Sequence, residues 1–414
     1  VRHIVLSANL LKDPDQFYDE AFQDHVFNIF PNTVALSKSA PFLQFGMTTL
    51  PPKPWPKSVT GLIPYFYVTD TAQPMPPPPG PTQSPLPMGR AAPPRNVNLA
   101  SHLDGRDMTN WEPIFNALIA HFEDCGVEVT EIMYWYNYVT IVLKNKDADP
   151  TKLPRRVGRL SCGYFFEDEM GRSKPPSARR LVDPSPGNPD VSTYNELQPG
   201  LRITSDYMLP KREEFMATTT GVLVKDKVGT HFMTAAAHGF PAEFGNRVFH
   251  PNPQGRPIGE LIMELDHSDI ALVLLGGDEI FNVTWENHDT PQSQPLSSLI
   301  SAKELHMGDA VWMDTPDTGS IEGAFVTTSF LRIPSENPFE REQRWVTTEW
   351  LYMGQDAEDL PEGIHGAAIM TDQDDVMHVA GFVRNAPRGG PMAGYCQGIA
   401  ADELIRHGFT LVTR

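Results

Sequence analysis

Apolar and polar residues follow two different rhythms along this chain, and the change between them falls near residue 200. Before it, the pattern is mixed. Asp13 to Phe30 predicts a helix, with Asp13 and Asp15 suited to its first turn. Ser58 to Val68 predicts a strand. Asn110 is placed to cap a helix running through Cys125, whose apolar residues Ile114, Leu118 and Phe122 recur at helical spacing. Val127–Ile132 and Tyr136–Leu143 alternate as the two arms of a hairpin. After Gly200 short strands follow one another: Phe215–Val224, His231–Ala237, Arg247–His250, Glu260–Glu264 and Ile270–Leu275. A second series runs Ala310–Met313, Gly323–Leu331, Arg344–Glu349, Ala367–Met370, Val376–Val383 and Tyr395–Ala400, and Ala401–Arg406 predicts a short terminal helix. Two groups of about six strands at this spacing suggest a pair of small barrels or a sandwich.

Proline divides the chain. Residues 74–94 are too rich in it to pair in a sheet and are expected to form an extended surface loop. A second proline-rich, polar stretch, 172–200, is the expected linker between an N-terminal α+β domain (1–171) and an all-β domain (201–414). A length of 414 residues agrees with two domains.

Charge narrows the function classes. With 33 Lys and Arg against 52 Asp and Glu, the net charge of −19 excludes a general electrostatic grip on nucleic acid or anionic membranes. Lys152, Arg155, Arg156 and Arg159 cluster locally, and a solvated face accounts for them. The three cysteines, Cys125, Cys162 and Cys396, form no disulfide framework and no zinc motif, so a reducing, cytoplasmic location without cofactor or metal is expected. Val1–Leu6 is shorter than a signal peptide, and no apolar run is long enough to span a bilayer. The aromatic group Tyr134, Trp135, Tyr136 and Tyr138 is expected to pack rather than line a ligand surface.

Three segments decide between barrels and sandwich. Met233-Thr-Ala-Ala-Ala-His-Gly239 is a small-residue strand ending in His238; His267-Ser-Asp-Ile-Ala-Leu-Val-Leu-Leu275 puts Asp269 at the head of an apolar strand; and Pro361-Glu-Gly-Ile-His-Gly-Ala-Ala-Ile369 is a glycine-flanked turn leading into a strand. In this order they resemble the chymotrypsin-like (PA-clan) proteases over roughly residues 200–414. The resemblance implies a double β-barrel, with His238 at the general-base position, Asp269 at its supporting acid, and Gly363-Ile-His-Gly366 at the turn that carries the nucleophile. Met307-Gly-Asp-Ala-Val311 with Thr318–Gly323 resembles the strand pair opening the second barrel. Ala380-Gly-Phe-Val383 resembles the strand that holds substrate backbone.

The departure is at the attacking atom. A hydroxyl needs a base to take its proton and a carboxylate to support that base, and His238 and Asp269 suit both roles. The nucleophile position, however, holds His365, and Gly363, Ile364, Gly366, Ala367 and Ala368 offer no hydroxyl or thiol. Backbone N–H groups of Gly363 and His365 remain candidate oxyanion-hole donors, with Gly366 closing the turn. Asp359 falls where the family sets the floor of its specificity pocket, though a solvated loop aspartate is the plainer reading. Cys396 falls on the expected last strand as packing. Four readings of His365 stay open. In the first, the fold is a scaffold whose inter-barrel cleft binds a peptide or small molecule, without conventional peptidase activity. In the second, its histidines act as acid and base on a small carbonyl compound, by isomerisation, cyclisation or elimination. An inactivated variant of an active protease is a third. A metal held by His238, Asp269, His365 and a further ligand such as His267 is the fourth, opposed by the family's placement of the carboxylate behind the base. Covalent catalysis by imidazole has nothing in the sequence to favour it.

Overall fold

Bent and coiled strands close two cylinders in the second half of the chain, and a helix-covered sheet extends the second of them. The computed structural model describes residues 3–10, 13–39, 42–52, 55–56, 58–69, 98–105, 107–135, 138–171, 192–209, 214–240, 247–265, 267–286, 293–334, 343–353, 360, 364–373, 376–387, 390–392 and 394–413.

The first barrel runs from Glu214–Thr219 through Arg202–Leu209, Arg247–His250, Arg256–Leu265 and Ile270–Leu275 to His231–Ala236, Leu223–Lys225 and the terminal pair Thr410–Leu411. The expected single strand 215–224 is broken at Thr220–Val222 into Glu214–Thr219, at one end of the sheet, and Leu223–Lys225, next to the other end. Gly221 makes the break possible: its N–H donates to the Thr234 carbonyl, and a Cβ there would lie 2.1 Å from Thr234 Oγ1. The interior is apolar, built on Leu201, Ile203, Met233, Val248, Ile258, Ala271 and Val273.

The second barrel is a ring of pairings: Ala310–Thr315 with Gly319–Pro334, then Gln343–Tyr352, Tyr395–Ala400, Val376–Asn385 and Ala368–Gln373, which returns to Ala310–Thr315. The sequence pattern thus yields the double barrel and its short C-terminal helix, Asp402–His407. Ser293–Leu299 adds a strand parallel to Val376–Asn385. Its polar composition, SQPLSSL, hides it from a hydrophobic reading.

The N-terminal half is α+β, with two separate helix-on-sheet layers. In the first, Glu20–Ile29 packs on Thr33–Ser39, Phe42–Met47 and Ile63–Val68. In the second, Trp111–Cys125 packs on Val129–Tyr134, Tyr138–Leu143 and Leu160–Phe166. The helix expected over Asp13–Phe30 is divided. Pro14–Tyr18 is a 3₁₀ turn, and Asp19, in an extended conformation, restarts the chain by accepting from the Ala21 N–H. The strand expected over Ser58–Val68 is likewise broken at Thr60 and Gly61, which both have positive φ. Tyr134 and Trp135 are buried, as packing requires, whereas Tyr136 lies outside the described residues.

One sheet crosses the expected domain boundary. Gly319–Pro334 serves Ala310–Thr315 with its first half, and its Ser329–Leu331 segment pairs with Glu131–Met133. Glu131, fully buried, anchors the seam: its Oε1 accepts from Ser329 Oγ (2.8 Å), Trp350 Nε1 (2.9 Å) and Gln397 Nε2 (2.8 Å). Of the expected linker, residues 172–191 lie outside the described residues. Leu197 beyond them is buried and exchanges backbone hydrogen bonds with Ile280 and Asn282 of the first barrel.

Glu131 is therefore expected to carry much of the seam's stability. Glu131→Ala removes the shared acceptor of three buried donors and should cost about 3 kcal/mol or more, while Glu131→Gln keeps an oxygen there and should cost less. Urea unfolding of the two variants, compared at their midpoints, checks the order.

Candidate active site

His238 and Asp269 meet because their strands are neighbours. His231–Ala236 pairs antiparallel with Ile270–Leu275, Ala236 opposite Ile270, so the residues just past one strand and just before the other share an end of the barrel. A single turn, Ala237–Gly239, lifts His238 off the strand. The Ala237 N–H donates to the Asp269 carbonyl at 3.0 Å. Asp269 has φ +59° and His267 φ +62°, left-handed conformations that non-glycine residues adopt at a cost of about 1–3 kcal/mol.

The Asp269 carboxylate repays that strain with a dense set of contacts. It accepts from the His238 backbone N–H at 3.0 Å and faces His238 Nδ1 at 2.9 Å from both oxygens, with Arg384 Nη1 at 3.3 Å from Oδ2. Burial alone would raise this carboxyl. The charges of His238 and Arg384 and the hydrogen bonds from His238 outweigh it and hold the group well below the usual carboxylate range.

His365 completes a line of three. Its Nδ1 lies 2.9 Å from His238 Nε2, the two rings standing edge to face with centroids 4.8 Å apart. Because a carboxylate only accepts, His238 carries its proton on Nδ1. With both rings neutral, His238 Nε2 then accepts and His365 Nδ1 donates, which leaves the lone pair of His365 on Nε2. That atom has no hydrogen-bond partner among the described residues, and the side chain is half-buried. Burial and the repulsion of His238 push the His365 imidazole down to about 3, so it is neutral near pH 7.

The turn bearing His365 is pinned from both barrels. Its carbonyl accepts from the Thr219 N–H (3.0 Å) and Thr218 Oγ1 (2.6 Å), and the Ala367 N–H donates to the Ile364 carbonyl. The His365 N–H donates to none of the described residues. Gly363 and Asp359 lie outside the described residues. Gly366, grouped with the oxyanion turn in the sequence, needs correcting: its N–H is spent on the Val383 carbonyl at 2.8 Å, so its part is conformational. Its φ is +89°, and a Cβ would meet Ala236 N at 2.6 Å and Thr219 O at 2.9 Å.

Other expectations are also redrawn. Ala380–Val383 lies between the strands Ala368–Gln373 and Tyr395–Ala400, so both of its edges are used and it is not an open strand for substrate backbone. The four-residue metal reading fails on geometry. Asp269 and His365 sit on opposite nitrogens of His238, and His267 turns its Nδ1 to the Ile333 carbonyl at 3.2 Å. Among the described residues no group of three His, Cys, Asp or Glu is arranged to hold a metal ion. Cys396 is buried, its thiol pushed up to about 12 by burial. Arg384 was missed by sequence reasoning. The available signal was a lone cation directly after an apolar strand segment.

No family model and no curated protein matches the chain. Solved structures do. Over about half its length the chain is similar in structure to chymotrypsin-like serine proteases. One is a glutamic acid-specific serine protease with a histidine triad in substrate binding (13% identity, covering 52% of this chain and 100% of that one, TM-score 0.38). Others are Thermobifida fusca protease A (12%, 53% and 100%, 0.37) and Cellulomonas bogoriensis chymotrypsin (13%, 53% and 100%, 0.37). The double barrel itself rests on the strand pairings described above.

Two outcomes follow from the site. Gly366→Ala is expected to destabilise the fold by about 2 kcal/mol or more, through left-handed strain and the backbone clash, as read by thermal unfolding. Acid sensitivity is the second. An unfolded histidine titrates near 6.5, while His365 in the fold refuses the proton until about 3. Stability should therefore fall with pH inside that window, by up to about 1.4 kcal/mol per unit, and Asp269 adds its loss only once pH drops below the ordinary carboxylate range. Denaturant unfolding from pH 7 to 4 should show the slope, and His365→Gln should flatten it.

Proposed function

We propose that the cleft between the barrels is a proton-transfer site rather than a peptidase site, and that its substrate is a small carbonyl compound. The observation that carries this reading is the unbroken hydrogen-bonded line Asp269–His238–His365. No hydroxyl or thiol stands between the two imidazoles, so the line ends in a nitrogen lone pair where a peptidase has an attacking oxygen or sulfur.

The chemistry follows from the tautomers. His365 Nε2 takes a proton from the carbon next to the carbonyl in the same step in which its Nδ1 proton moves to His238 Nε2, so His365 is never left cationic and the charge comes to rest on His238, beside Asp269. The His365 backbone N–H, which donates to none of the described residues, is available to the developing enolate oxygen. Returning the proton to another carbon gives isomerisation, and expelling a neighbouring group gives elimination. A cleft that only bound a peptide or small molecule would have no use for a buried carboxylate held at a strained φ behind two coupled imidazoles.

The test is exchange. Small aldehydes and ketones incubated with the protein in D₂O should lose their α-proton signals by NMR, at a rate that falls about 100-fold or more in His365→Gln and in His238→Ala. Labelling of a serine by a fluorophosphonate probe, together with turnover of a peptide panel by the native protein, would overturn the reading.

A further inference from the structure

We infer that His365 Nε2 is also a nucleophile toward activated acyl groups, aryl esters and thioesters, and that the cleft forms an acyl-imidazole on it. This goes beyond the proton-transfer reading and rests on it only for the hydrogen-bonded tautomers of His238 and His365.

Three observations converge on that atom. The Nδ1 of His365 points at His238 Nε2 at 2.9 Å, so the ring's other nitrogen holds the lone pair. The ring is not a swinging side chain on a loose loop, since its own carbonyl is clamped by Thr218 and Thr219 and the next residue is tied to Val383. Holding the nucleophile in place in this way is what turns a weak bimolecular reaction into a fast one. The His365 N–H has no acceptor among the described residues, which leaves it for the oxygen of a tetrahedral intermediate.

The step balances without an added reagent. The Nε2 lone pair forms a C–N bond to the acyl carbon, and the aryloxide or thiolate leaves with the electrons of its bond to that carbon. The ring, now cationic, gives its Nδ1 proton to His238 Nε2, where Asp269 supports the imidazolium, and the departed anion takes its proton from solvent. Water then adds to the acyl carbon and loses a proton to solvent, and the C–N bond breaks as His238 returns its proton to His365 Nδ1. The net reaction is an ester or thioester and water giving a carboxylic acid and an alcohol or thiol.

The same chemistry sets the substrate class. When imidazole adds to an amide, the imidazole is the better leaving group and the adduct collapses back. When it adds to an aryl ester or thioester, the other group departs more readily and the acyl-imidazole forms. Peptide bonds are therefore excluded by leaving-group order and activated acyl groups are not.

The experiment uses p-nitrophenyl acetate and p-nitrophenyl dimethylcarbamate on the full chain. The acetate should give a burst of one p-nitrophenol per protein molecule, followed by a slower steady release. The carbamate, whose product resists hydrolysis, should leave a dimethylcarbamoyl group on His365 in peptide mapping of the native protein, a readout that needs no variant. His365→Gln should lose the burst, and His238→Ala should slow it about 100-fold. Release without a burst, or carbamoylation of His365 no faster than of the exposed His231, would overturn the nucleophilic role. The D₂O exchange assay on the same preparation reads the proton-transfer role separately.

Discussion

The buried carboxylate of Asp269 is the interaction around which the ends of the two barrels are arranged. Removed from water, it must be paired, and three groups do so: the His238 ring, the His238 backbone N–H and Arg384. Each pairing fixes something else. The backbone bond sets the turn after His231–Ala236. The ring bond sets the tautomer of His238, and through it the tautomer of His365. The charge of Arg384 arrives from the second barrel, so the carboxylate also ties the two cylinders together across the cleft. The positive φ of Asp269 is a cost borne locally for that placement.

A second buried carboxyl plays a comparable part between the N-terminal sheet and the second barrel. Glu131 sits in the N-terminal sheet yet takes its hydrogen bonds from Ser329, Trp350 and Gln397, on three different strands of the barrel. Around it, Met133, Trp135 and Phe165 pack with Trp350, Tyr352 and Tyr395. The N-terminal layer is therefore fastened to the second barrel by both a shared sheet edge and a polar anchor. Its helix Trp111–Cys125 covers the far face of that sheet and reaches Phe330 of the long strand.

The strands of the barrels were legible because alternation survives wherever one face is buried, as in Val248 and His250, and because a strand buried on both faces, Ile270–Val273, is a continuous apolar run. It failed where that condition lapses. Ser293–Leu299 is polar because only Leu296 in it is buried, and Leu160–Phe166 is the long arm of a hairpin turned at Gly158–Arg159 whose other arm, Arg156–Val157, is too short to show a period. Asp13–Phe30 and Ser58–Val68 were read as single elements because their breaks come from backbone conformations at Asp19, Thr60 and Gly61 that no hydrophobic period records.

By itself the sequence determined the residue types gathered at the site: an imidazole, a carboxylate and a second imidazole, in the order that two barrels would bring together. Only the tertiary structure decided how they work. The direction of each hydrogen bond, and so the nitrogen on which His365 keeps its lone pair, depends on which ring atom faces which neighbour. The roles of Arg384 and Gly366 depend on a second barrel folding back onto the first. Those are distances between residues more than one hundred positions apart in the case of Arg384 and Asp269, and local pattern carries no information about them.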